Sequence, residues 1–294
     1  MSEIASVGVV GAGLMGGGIA QVAAAAGYPT TVRDVSEDLL ARGRQAIERS
    51  LAKLVEKDAT TRAAADEALS RIRWTTELGL VADADLVIEA ITEELRLKQE
   101  LWRALDAAAP ERALFASNTS SLPVAALAAV TRRPDRFAGV HFFNPVPLMP
   151  LVEIVRAVGT SEQTLDVLTR FVRHLGKEPL AARDTPGFIV NRLLVPYLMD
   201  AVRALEGGVA STRDLDLGMK LGCGHPMGPL TLIDLIGVDT ALRVGEAMYE
   251  EFRESRYAPP PLLRRMVAAG LLGRKAGRGF YDYGANPPEA LRLA

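Results

Sequence analysis

With 294 residues the chain can bury a sizeable core and is long enough for one large domain or two unequal ones. Its 36 acidic and 34 basic side chains leave a net charge of −2, so no global field favours nucleic acid or an anionic membrane, and 5% aromatic content offers few platforms for stacking bases. One cysteine, Cys223, excludes an intramolecular disulfide framework and a Cys-rich zinc site, so no metal is expected and a reducing, cytoplasmic compartment is.

The chain opens without a basic region ahead of its first apolar run, and no apolar stretch reaches the roughly 18 residues of a membrane span, so neither a secretory leader nor a membrane segment is expected. Short β-prone runs at 5–10, 30–33, 86–89, 114–117, 137–141 and 151–156 alternate with helical patterns at 36–56, 95–108 and 161–175, where Ser36 and Ser161 read as N-caps. That alternation predicts an α/β domain, a mainly parallel, doubly wound sheet with helices on both faces. After Arg183 the pattern changes. Asp184-Thr185-Pro186-Gly187 reads as a cap with proline near the first helical turn, opening the apolar segment 188–205. Further helical segments at 212–221, 229–236, 239–252 and 261–269, separated by glycine-rich breaks, predict an all-helical second domain. The boundary is expected near Thr185, giving domains 1–184 and 185–294.

Gly11, Gly13 and Gly16 form G-x-G-x-x-G directly after the first predicted strand and directly before an apolar helix. In that context the first glycine permits a tight turn, the second lets a pyrophosphate approach the backbone, and the third lets helix and strand pack closely. Gly11, Gly13, Leu14, Met15 and Gly16 are therefore candidate cofactor-binding residues. Asp34 ends the second strand, where a carboxylate can accept hydrogen bonds from the adenosine ribose, and its charge favours NAD over NADP. Arg33 beside it could accommodate a 2′-phosphate or be a solvated surface charge.

Three histidines are candidates for a proton-transferring base: His141, His174 and His225. His174 lies among Arg170, Arg173 and Lys177 and reads as solvated. His225 sits in a Gly/Pro loop. His141 ends a predicted strand at the sheet edge where ligands bind, and the Pro-rich turn at 145–150 can fold the chain back so that Glu153 reaches it. A carboxylate there would fix the imidazole tautomer and stabilise the imidazolium.

The sequence resembles the 3-hydroxyacyl-CoA dehydrogenase family, bacterial 3-hydroxybutyryl-CoA dehydrogenases especially, over essentially its full length. The motifs that carry the resemblance are 11–16, Ser117-Asn118-Thr119-Ser120-Ser121, His141-Phe142-Phe143-Asn144-Pro145, the run 184–192 from Asp184 to Arg192, and Gly277-Arg278-Gly279-Phe280-Tyr281. The resemblance implies a Rossmann-like first domain, a helical second domain that mediates homodimerisation, and S stereochemistry at the hydroxyl carbon. It further implies His141 as general base, Glu153 as its orienting partner, and Ser120 and Asn191 as hydrogen-bonding groups for the substrate oxygen. Glu93, Lys98 and Asn118 match positions lining the nicotinamide half of the cofactor site, and Ser50 and Lys57 fall where the family contacts coenzyme A.

Read from the residues alone, Ser120 follows a strand where an active-site hydroxyl fits but could instead cap the helix beginning near Pro123, a place Ser121 competes for, Asn191 could be a locally satisfied asparagine, and Glu93 and Lys98 pass for exposed charges. Arg42, Arg44, Arg49 and Lys53 on 36–56, with Lys57 after it, could hold coenzyme A phosphates or form a solvated face balanced by Glu37, Asp38, Glu48 and Glu56. Two other functions fit parts of the sequence. A β-hydroxyacid dehydrogenase acting on a free acid shares the layout but uses a lysine base, and a non-catalytic NAD-binding protein need not keep His141, Glu153, Ser120 and Asn191 together. No Tyr-x-x-x-Lys is present for a short-chain dehydrogenase.

Overall fold

In the computed structural model, which describes residues 4–291 and 293, the chain divides between Thr185 and Pro186 into two compact units. In the first, strands β1 (Val7–Val10), β2 (Thr30–Arg33), β3 (Ile72–Thr75), β4 (Leu86–Glu89), β5 (Leu114–Ser117), β6 (Phe137–Phe142), β7 (Leu151–Arg156) and β8 (Glu178–Arg183) form one sheet in the order β3-β2-β1-β4-β5-β6-β7-β8. Neighbours are parallel except β6 and β7, which are antiparallel. β1, β4 and β5 are buried along their whole length, which is why they read as unbroken apolar runs rather than alternating ones. The flanking helices are α1 (Leu14–Ala25), α2 (Glu37–Glu56), α3 (Arg62–Ser70), α4 (Leu78–Ala82), α5 (Leu95–Ala108), α6 (Val124–Ala128) and α7 (Glu162–His174). Ser36 and Ser161 cap α2 and α7 through hydroxyls that accept from the N–H groups of Leu39 (3.3 Å) and Thr164 (3.2 Å). Because β1 lies between β2 and β4, strand order reverses there, and the carboxyl ends of these strands flank the crevice that open α/β sheets use for ligands.

The second unit packs α8 (Val190–Glu206), α9 (Thr212–Gly222), α10 (Pro229–Ile236), α11 (Val238–Phe252) and α12 (Pro261–Ala268) around Met199, Val202, Leu230, Ile233, Met248 and Phe280. It also holds a short hairpin of β9 (Tyr281–Asp282) and β10 (Glu289–Ala290), which an all-helical expectation leaves out. The run 184–187 does not cap α8 as expected. Gly187 and Phe188 take positive φ (82° and 45°), and α8 starts only at Val190, after Ile189, which makes no side-chain cap bond. Asp184 instead serves α6: its carboxylate accepts from the N–H groups of Val124 (2.8 Å) and Ala125 (2.7 Å). That removes the capping alternative for Ser120, since α6 already has its anion.

Candidate active site

The glycines after β1 are required for different reasons. A Cβ at Gly11, whose φ is +106°, would stand 2.6 Å from the carbonyl oxygen of Ala90, and one at Gly16 would stand 1.8 Å from that of Gly11, so both are imposed by the packing of strand, turn and helix. Gly13 has nothing within 4 Å of that position. The protein's own packing therefore does not demand glycine at the N-cap of α1, whereas a pyrophosphate lying against the helix N-terminus does. Leu14 projects 74% exposed from the same turn while the remainder of α1 is largely buried, and Met15 packs partly into the core. Asp34 completes the cradle. Its Oδ2 accepts from the Ala12 N–H (2.7 Å) and its Oδ1 from the Val35 N–H (2.7 Å), which fixes the carboxylate beside the glycine turn and leaves acceptor capacity for a ribose hydroxyl. Arg33 is half-buried and donates from Nε to the carbonyl of Thr76 (3.2 Å), a tie to the segment after β3. These residues fit a dinucleotide with a free 2′-hydroxyl.

Next along the sheet edge, the ends of β4 and β5 carry a buried charge network. Glu89 and Lys98 are 0% and 1% exposed and form an ion pair, and Lys98 also lies 3.2 Å from Glu93 Oε2. Glu93 Oε1 accepts from the Thr119 hydroxyl (2.6 Å) and from the N–H groups of Ser120 (2.8 Å) and Ser121 (3.2 Å). Burial alone would raise the Glu93 carboxyl pKa, but the Lys98 ammonium and these donors outweigh it and hold the group below its ordinary value. Lys98 is thus not an exposed charge at a helix start, as its residue type and neighbours suggest. Asn118 follows β5, and its Oδ1 accepts from the Phe142 N–H (2.9 Å), which ties the end of β5 to β6.

His141 and Glu153 face each other in the antiparallel register of β6 and β7. Nδ1 of His141 lies 2.7 Å from Oε2 of Glu153, with the two residues 7% and 0% exposed. A carboxylate at Nδ1 selects the tautomer with its hydrogen there, so the basic lone pair sits on Nε2. The turn that brings the strands together is held by Lys177, whose ammonium donates to the carbonyls of Val146 (2.6 Å) and Met149 (2.7 Å) and whose pKa is lowered by burial. Nothing in the sequence around Lys177 marks it, because its partners are carbonyls about thirty residues earlier in the chain.

The geometry therefore brings together, in the first unit, the glycine turn with Asp34, the Glu93, Lys98 and Ser120 cluster with Asn118, and the His141–Glu153 pair. Asn191 is on the second unit, the second residue of α8. Ser50 is half-buried on α2, and Lys57 is exposed at its C-cap. The helical period sets Arg42, Arg49 and Lys53 within about 40° of one another, opposite the buried side of α2. Arg44 points elsewhere and pairs with Glu48 at 3.5 Å. His174 is exposed and meets the Ala26 carbonyl (3.1 Å), and His225 meets the Tyr197 hydroxyl (3.2 Å). Among the described residues no group of three His, Cys, Asp or Glu side chains could hold a metal ion, and no helix is long and apolar enough to cross a membrane.

Known proteins match most of the chain. The family model described as 3-hydroxyacyl-CoA dehydrogenase, NAD binding domain, matches residues 6–185, and that of the C-terminal domain of the same family matches 187–283. The chain is 48% identical over 282 residues to a 3-hydroxybutyryl-CoA dehydrogenase of Mycobacterium tuberculosis, covering 95% of this chain and 99% of that one. It is 50% identical over 284 residues to the mitochondrial hydroxyacyl-coenzyme A dehydrogenase of Sus scrofa, covering 94% and 90%. Among solved structures, the (S)-3-hydroxybutyryl-CoA dehydrogenase of Ralstonia eutropha superposes with a TM-score of 0.92 at 46% identity, covering 96% of this chain and 99% of that one.

Proposed function

This chain belongs to the 3-hydroxyacyl-CoA dehydrogenase family, and from that premise we propose that it interconverts (S)-3-hydroxyacyl-CoA, in particular 3-hydroxybutyryl-CoA, and 3-ketoacyl-CoA with NAD(H) through the His141–Glu153 pair. It is an NAD-dependent oxidoreductase of that class. The observation that carries the catalytic assignment is the buried 2.7 Å contact between imidazole and carboxylate at the carboxyl end of β6. The turn 11–16 and Asp34 would hold NAD, which when bound would supply the acceptor for the hydride that leaves C3. In the oxidation direction His141 Nε2 takes the proton of the 3-hydroxyl, and Glu153 stabilises the imidazolium while keeping the ring in the productive orientation. In the reduction direction the same nitrogen returns the proton. Ser120 and Asn191 hydrogen-bond the substrate oxygen, and Glu93, Lys98 and Asn118 line the nicotinamide half.

The basic stripe of Arg42, Arg49 and Lys53, continued by Ser50 and Lys57, is the site we assign to the phosphates of coenzyme A, so the substrate is the thioester rather than the free acid. The second unit is assigned to substrate binding and homodimerisation. Leu193 (71% exposed), Leu221 (77%) and Leu235 (49%) are exposed apolar side chains on its helices that a second copy would cover. Acetoacetyl-CoA reduction followed spectrophotometrically with NADH and NADPH side by side tests the assignment. Turnover with NADH and poor turnover of free acetoacetate support it, and comparable efficiency on the free acid moves the chain to the β-hydroxyacid class.

A further inference from the structure

We propose that Glu89 is a positioning residue for the turn that carries Ser120, an inference that rests on the assignment of Ser120 to the substrate oxygen. Glu89 is the last residue of β4 and is completely buried. A carboxylate there is tolerated only when its lone pairs are used, and each oxygen holds a different arm of the structure. Oε2 accepts from the Ser117 hydroxyl (2.7 Å), and Ser117 Oγ in turn accepts from the Thr119 N–H (3.3 Å). Oε1 accepts from the Ile91 N–H (2.8 Å) and from Lys98, the ammonium that also lies 3.2 Å from Glu93. Glu93 then gathers the Thr119 hydroxyl and the N–H groups of Ser120 and Ser121.

Two chains of hydrogen bonds thus leave one buried carboxylate and converge on residues 119–121. Lys98 is shared by two carboxylates and the Ile91 carbonyl (3.3 Å), so removing the charge at 89 leaves it with the Glu93 carboxylate and that carbonyl and shifts the group that fixes the Ser120 backbone. In a low-dielectric network of this kind the members act together, and loosening one loosens the rest. Among the described residues the Glu89 carboxylate bonds Ser117, Ile91 and Lys98, so it reaches the substrate oxygen through Ser120, read in kcat, and the cofactor through Lys98, read in the KM for NADH.

Glu89→Gln keeps the side-chain volume, removes the charge and replaces one acceptor with a donor. In the full-length enzyme assayed on acetoacetyl-CoA with NADH, it should lower kcat roughly tenfold or more, as misplacement of a contacting group does. Made in the Ser120→Ala background, the same change should cost less than about twofold further, because the residue it positions is already gone. Ser117→Ala cuts only the shorter arm and should show a smaller loss with the same dependence on Ser120. It decides the matter if Glu89→Gln does not fold. Parental kcat in Glu89→Gln, or an equal fold loss with and without Ser120, would overturn the positioning role. Parental kcat in Ser120→Ala would instead remove the Ser120 assignment, and this role with it.

Discussion

In the first unit the buried acids Glu89 and Glu153 meet ionisable partners, Lys98 and His141, whereas in the second unit the buried acids Asp216 and Asp234 are satisfied by backbone N–H groups and tyrosine hydroxyls. Asp216 accepts from the N–H groups of Leu230 and Thr231 at the start of α10 and from the Tyr281 hydroxyl. Asp234 accepts from the N–H groups of Phe280 and Tyr281 and from the Tyr283 hydroxyl. Burial raises the pKa of both tyrosines, which keeps them protonated as donors. The second pattern is a knot: it ties the 277–281 motif to α10 and explains Gly279, where a Cβ would stand 2.0 Å from Asp234 Oδ1. The first pattern can hold a proton at a defined nitrogen or set a charge beside a substrate. Burial of a carboxylate therefore does not by itself mark chemistry, and what sets Glu89 and Glu153 apart from Asp216 and Asp234 is the ionisable partner each one meets.

The largest effects should follow from breaking the first pattern. His141→Gln should lower kcat by something on the order of 10² or more with little change in NADH affinity, whereas Asp216→Asn should lower thermal stability and leave the kcat of the folded fraction within about twofold. Steady-state kinetics beside thermal melts separate the two, and a comparable kcat loss in both variants would erase the distinction. Next in size is the cofactor cradle. Asp34→Ala should weaken NADH about tenfold more than NADPH, measured by fluorescence titration, since only the NAD ribose relies on that acceptor. Equal losses would remove Asp34 as the ribose ligand.

Smaller effects belong to exposed charges. Replacing Arg42, Arg49 and Lys53 together with alanine should raise the KM for acetoacetyl-CoA roughly three- to tenfold and leave kcat alone, because each exposed pair contributes only about 0.2–1 kcal/mol. An unchanged KM at low salt would return this stripe to a merely solvated face. The smallest effects are on stability, and there the two units differ in sign. Against the effect of burial, Lys98 and the 119–121 donors hold the Glu93 pKa down, so its contribution is present above the unfolded value and lost as pH falls through the folded one. Burial lifts the Asp234 pKa, only partly offset by the donors of Phe280, Tyr281 and Tyr283, so its contribution is present below the unfolded value and lost as pH rises through the folded one. Melts between about pH 6 and about pH 3.5 should show Glu93→Gln gaining on the parent as pH falls and Asp234→Asn losing ground to it. Parallel curves would contradict both signs.

What could be read from the sequence follows the same physics. The strands 86–89, 114–117 and 151–156 are legible because they are largely apolar, and 30–33 because the β-branched Thr30, Thr31 and Val32 follow a glycine turn. Of the first unit's strands, the two that escape, β3 and β8, are the two edges of the sheet. Edge strands bury less, and β8, with Leu180 37% exposed and Pro179 inside it, carries little apolar pattern. The His141–Glu153 pair is legible because a short turn joins its strands. The Glu89, Lys98 and Glu93 network is not, since Glu89 ends an apolar run like any strand terminus and one of its partners, Ser117, comes from the next strand in the sheet. Asp184 was legible as a cap but not as the cap of α6, a helix about sixty residues earlier.

A double-mutant cycle on kcat for acetoacetyl-CoA reduction decides whether His141 and Glu153 act as one unit in proton transfer. Glu153→Gln keeps the size and removes the charge, and should lower kcat by something on the order of 10². The double variant should be barely worse than His141→Gln alone, because residues that share one step do not contribute independently. Losses that multiply in the double variant, or near-parental turnover in Glu153→Gln, would contradict the account and leave Glu153 a structural partner of the strand opposite it.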